Sequence, residues 1–84
     1  MESYSSYSSV NINPNPANKN IRISSESYIN DIVIFDALGK KVYQISNLND
    51  LYINIDLSNS HTGLYYIKIS GGDFSNVRKI IKSE

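Results

Sequence analysis

His61 is the chain's one histidine, and it follows Ser58 and Ser60 in the polar run Ser58-Asn59-Ser60-His61-Thr62-Gly63. Serine near histidine is the raw material of a nucleophilic dyad. Sequence neighbours seldom aim at one another, however, and no carboxylate is spaced to orient the imidazole, so His61 reads as an exposed loop residue. Asp36-Ala37-Leu38-Gly39 invites a calcium-loop reading, but one carboxylate falls far short of an oxygen cage. Asp at the first position and Gly at the fourth fit a type I turn closed by a left-handed glycine, the tip of a hairpin. With one histidine and no cysteine, a transition-metal site has little to draw on. No phosphate loop or other cofactor motif is present. The tyrosines at the start, in Ser-Tyr-Ser-Ser-Tyr-Ser-Ser, could stack on sugars or bases, but nothing there holds the rings rigid.

Charge removes further classes. Eight basic residues balance eight acidic ones, so no global field favours nucleic acid or an anionic membrane. No apolar run approaches the ~20 residues of a membrane span. Glu2 to Ser9 is polar and carries no signal peptide, so if the domain is secreted we expect its export signal on a missing segment of a longer protein. At 84 residues the chain makes one small domain without disulfides. At that size only ~60% of the unfolded surface can be buried.

The element that must position everything else is Gly63-Leu64-Tyr65-Tyr66-Ile67-Lys68-Ile69. Tyr65, Ile67 and Ile69 alternate with Leu64, Tyr66, Lys68 and Ser70, the period of a strand with one face in the core. Gly63 before it and Gly71-Gly72 after it supply start and stop, and we read it as a central strand. In chain order, residues 1–9 read as a flexible Ser/Tyr linker and 10–84 as the folded domain. Val10-Asn11-Ile12 is a short strand running into Asn13-Pro14-Asn15-Pro16, where the prolines stiffen the chain and confine the strand to a sheet edge. Ile21 and Ile23 flank Arg22 in a second strand, and Ser24 to Ser27 reads as a turn. Ile32 to Phe35, apolar on both faces, is an interior strand. Lys40 to Ile45 returns from the turn, and Tyr52 to Leu57 points Ile53, Ile55 and Leu57 inward. Val77 to Lys82 comes last, its cations guarding an exposed edge. Seven strand candidates without a helical period predict an all-β immunoglobulin-like antiparallel sandwich. Tyr65 stands where such sandwiches place a corner tyrosine, its hydroxyl bonding back to the chain just upstream.

Four stretches together resemble the C-terminal sorting domains of type IX secretion cargo from Bacteroidetes. They are Ile12-Asn13-Pro14-Asn15-Pro16-Ala17; Ile34-Phe35-Asp36-Ala37-Leu38-Gly39-Lys40-Lys41-Val42; Ile55-Asp56-Leu57-Ser58 with Gly63 to Ile69; and Arg78-Lys79-Ile80-Ile81-Lys82. Ser60 is a departure, since similar domains carry leucine there, an apolar anchor for the loop. The resemblance implies a folded address label rather than an enzyme, carried by a cargo domain in cis. Translocon components at the outer membrane would recognise it, and a sortase-like protease would then remove it. The motif positions that would carry recognition are Pro14, Asn15, Pro16, Asp36, Gly39, Lys40, Gly63, Tyr65, Arg78, Lys79 and Lys82. The cargo would travel through the periplasm and outer membrane to the cell surface or medium, and the cut should fall in the linker upstream of Val10. The alternative is an immunoglobulin-like adhesion or carbohydrate-binding module appended to a secreted enzyme. Position in the precursor separates the two, because a sorting domain must come last.

Overall fold

A computed structural model describes residues 10–14, 17 and 19–83. Six strands occur among them: β1 (Val10–Asn13), β2 (Asn20–Asp36), β3 (Lys41–Ile45), β4 (Asp50–Asp56), β5 (Gly63–Gly71) and β6 (Ser75–Lys82). All pair antiparallel within one sheet.

The hub is β2, which spans 17 residues and pairs with four other strands. Ile23 lies between Ile12 of β1 and Ile53 of β4, and Ile32 lies between Ile45 of β3 and Ile69 of β5. Ile29 is shared by Asp50 of β4 and Gly71 of β5. It follows that β3 and β4 run down one flank of β2, as an interrupted return strand, while β1 and β5 share the other. β6 adds outside β5.

Midway, β2 bends. Its register with β4 shifts between Ser24 and Ile29, and its register with β5 shifts between Ile29 and Asp31, leaving Asn30 as an extra residue. Such a bulge bends a strand and sharpens its twist. The Leu48 amide donates to the Asn30 carbonyl at 2.9 Å, so the return strand breaks, over residues 46–49, where β2 bends. Asn47 takes φ 60° in that break, a left-handed conformation its short amide tolerates. The bend turns the two halves of the sheet onto one core. Ile21, Ile23, Ile53 and Ile55 come from one half and Ile32, Ile34, Ile67, Ile69 and Ile80 from the other. Each such side chain contributes roughly 1.5–3 kcal/mol relative to staying exposed.

The all-β expectation holds, while the seven expected strands are six among the described residues, paired in one curled antiparallel sheet. The candidates at Ile21–Ile23 and Ile32–Phe35 are two halves of β2, and Ser24 to Ser27 is strand rather than turn. These residues are polar because they cross the bend outside the core, half or fully exposed. No Gly or Pro there would stop the ladder. β5 is interior and keeps its predicted period, burying Tyr65, Ile67 and Ile69. The strand that the others pair on is nevertheless β2.

Gly71 closes the β5–β6 hairpin, its amide donating to the Phe74 carbonyl at 2.9 Å. Phe74 folds back into the core. A Cβ on Gly71 would overlap the Phe74 ring and stand 2.5 Å from the Tyr28 carbonyl oxygen, whereas one on Gly72 would meet nothing within 4 Å. Gly71→Ala should therefore cost about 1–3 kcal/mol by overpacking, seen as a melting point several degrees lower. Gly72→Ala should melt with the parent, and equal melts for the two variants would contradict this packing.

Candidate recognition surface

The four motif stretches meet in space two by two. The first joint ties the segment after β1 to the last strand. Ala17 is fully buried, and its amide donates to the Ile81 carbonyl at 2.7 Å. Its own carbonyl accepts the Ser83 amide at 2.7 Å and the Ser83 hydroxyl at 3.1 Å. Ala17 and Lys82 form a parallel bridge. Further along, the Arg78 guanidinium donates through Nη2 to the Val10 carbonyl at 2.7 Å and through Nε to Asn76 Oδ1 at 3.0 Å. Arginine suits this span because its planar fork reaches two acceptors at once.

The second joint sets the β2–β3 turn against the start of β5. Asp36 Oδ1 accepts the Leu38 amide at 3.0 Å and the Lys40 amide at 2.9 Å. The Gly39 amide reaches the Asp36 carbonyl at 3.0 Å with φ +87°. This is the turn expected of Asp36 and Gly39, with one oxygen of the carboxylate accepting two backbone N–H groups. Asp36 is the cross-strand partner of Tyr65. The Tyr65 hydroxyl donates to the His61 carbonyl at 2.7 Å, so the corner bond forms. That bond pins the loop that lacks leucine at Ser60, helped by the Ser60 amide donating to Leu57 at 2.9 Å. Asp56 Oδ1 accepts the Ser58 amide at 2.9 Å. The Ser58 hydroxyl and then its amide hold the Asp56 carboxyl below its ordinary value. Between turn and loop lies an open groove of ≈ 260 Å³, lined by Asp36, Leu38, His61 and Thr62 among others. Leu38 stands 94% exposed at its lip.

The sequence-selected residues therefore divide. Asp36, Gly39, Lys40, Gly63 and Tyr65 gather at the turn end of the sheet, with Lys40 and Gly63 exposed. Pro14 is exposed just after β1, following a cis Asn13–Pro14 bond, while Asn15, Pro16 and the segment 1–9 lie outside the described residues. The basic residues of β6 correct an expectation. Only Lys79 points outward; Arg78 is half-buried and Lys82 is buried, its ammonium donating to the Ser83 carbonyl at 3.2 Å. Inward-turned cations do blunt a sheet edge, but here they also hold structure. Sequence reading missed Phe74, whose signal was a lone aromatic in an otherwise polar turn, and the clamp made by Ala17, which has no signal of its own. Among the described residues no group of three or more His, Cys, Asp or Glu could hold a metal.

Two sets of substitutions measure these joints. Tyr65→Phe loses one hydrogen bond and should cost about 0.5–1.5 kcal/mol, against ~3–5 kcal/mol for Tyr65→Ala. Arg78→Gln should lower the melting point, because it releases Val10, while Lys79→Gln should leave it within the ±0.5 kcal/mol typical of surface changes. Identical thermal melts for Arg78→Gln and Lys79→Gln would contradict the clamp.

Comparison with known proteins agrees with the geometry. No curated protein matches the chain. The family described as secretion system C-terminal sorting domain matches residues 11–83, from β1 to the end of the clamp. That family is not an enzyme family, and its members mark cargo destined for secretion or the cell surface. The match takes in all of the described residues but Val10, and the chain belongs to the C-terminal sorting domain family of the type IX secretion system.

Proposed function

We propose that this domain is read by type IX translocon components as a folded shape, carries a cargo domain in cis across the outer membrane, and is then cut away by a sortase-like protease. One observation supports the reading above the others. The motif residues whose contacts are described are mostly spent on holding two joints, Ala17 and Arg78 against β1 and β6, and Asp36 and Tyr65 at the turn end. A site built for chemistry would instead leave polar groups converging on open space. The cut belongs upstream of Val10, because β1 begins there and its residues pair with β2, while a protease needs an extended, unpaired segment.

The test is a reporter carrying a periplasmic export signal and residues 1–84 at its C-terminus, expressed in a Bacteroidetes host with a type IX system. Reporter should appear outside the cell or on its surface, with a mass that ends before Val10. A fusion lacking residues 10–84 should stay in the periplasm. Export without the domain would defeat the sorting role. Export with the domain still attached would defeat only the cleavage.

A further inference from the structure

The two outward faces of the curled sheet differ in kind. Around the first half of β2 the outward rows are Asn13–Arg22–Asn54 and Asn11–Ser24–Tyr52 across β1, β2 and β4, polar but for Tyr52, which is 57% exposed. That is the ordinary solvated face of an antiparallel sheet. Around the second half the alternation fails. Phe35 pairs with Tyr66, Leu64 with Ile81 and Lys68 with Val77, all on the outward side. Val77 is 60% exposed, Ile81 46% and Tyr66 39%. The charges on this face are placed with equal bias. Lys41 and Lys79 end the row Lys41–Phe35–Tyr66–Lys79, about 14–15 Å apart at three strand spacings. Lys68 sits diagonally beside Lys79, on the neighbouring strand. A bulge at Val42 brings Lys41 onto the same side as Gln44, whose Oε1 accepts its ammonium at 2.7 Å. Asp31, beside Ser70, is the acid on this face. A chain of zero net charge thus sets three lysines beside an aromatic and aliphatic patch, Lys41 and Lys79 at its two sides and Lys68 on β5 between Val33 and Val77.

We propose that this face of β3, β2, β5 and β6 is a docking surface for a protein of the translocation path that presents an apolar patch bordered by carboxylates. The inference rests on the sorting function proposed above. An apolar centre with a charged rim is the anatomy of a protein–protein interface. Polyanion sites instead string cations along a groove that tracks a backbone. Here the rim lysines steer and orient an acidic partner, while Tyr66 and Val77 supply the area that desolvates.

The reporter fusion described above tests this in the same host. Two variants, Lys41→Glu/Lys68→Glu/Lys79→Glu and Tyr66→Ser/Val77→Ser, should each cut export at least about tenfold and accumulate reporter in the periplasm. A control on the other face, Arg22→Glu/Asn54→Glu, should export like the parent. Thermal melts of the purified domains check folding. If a multiple variant unfolds, Lys79→Glu alone, at a solvent-facing position of β6, carries the same reading at smaller amplitude. Export of the glutamate and serine variants at the parent level would overturn the docking face and leave the sorting role standing. Failure of the parent fusion to leave the periplasm would overturn both. Purified domain should not float with mixed phosphatidylcholine and phosphatidylglycerol vesicles. Flotation abolished by the glutamate variant would assign the face to a membrane and overturn the protein partner.

Discussion

Everything in this domain hangs on the bend of β2 between Ser24 and Asp31. A small chain without disulfides has to bury its isoleucines on both halves of one long strand, and a flat 17-residue strand cannot face itself. The bulged Asn30 and the shift at Ser24–Ile29 supply the turn in direction. The break at residues 46–49 lets the return strand follow, through the Leu48 amide on the Asn30 carbonyl. Once the halves face each other, the segment after β1 comes alongside β6. Ala17 and Arg78 can then tie the first strand to the last.

This architecture accounts for which residues the motif stretches contain. If the domain is read by shape, as proposed, it needs its outline fixed more than it needs a reactive group. Asp36 caps its own turn, Tyr65 anchors the loop before its own strand, and Ala17, fully buried, bonds through its amide and carbonyl to Ile81 and Ser83. The loop that lacks leucine at position 60 is secured by hydrogen bonds instead, which are directional and survive exposure on one side. What is left for a partner is surface: the apolar and lysine-edged face, and the exposed tip at Leu38.

Much of this was legible in the residues. Period-two alternation located β4 and β5 and their inward faces, because one-sided burial writes itself into side-chain order. Asp36 and Gly39 announced their turn, since its backbone demands an acceptor at the first position and a left-handed residue at the fourth. The corner role of Tyr65 followed from its place at the strand start. The bend was not legible. Ser24-Ser25-Glu26-Ser27 has the composition of a loop, and polarity alone does not separate a turn from a strand crossing open solvent. Nor was the inward direction of Arg78 and Lys82, because cations on an edge strand read as solvent-facing until the edge acquires a neighbour. For Arg78 that neighbour is Val10, 68 positions away along the chain, and for Lys82 it is Ala17, across the edge.

If the bend joins both halves of β2 into one core, they must open together. Native-state hydrogen exchange in rising denaturant tests this directly by following amides of Ile21, Ile23 and Ile53 beside those of Ile34, Ile67 and Ile69. The account predicts that the slowest amides of the two groups converge on a single unfolding free energy and a single denaturant dependence. Two separate limits, with one half exchanging through its own opening while the other stays protected, would contradict it.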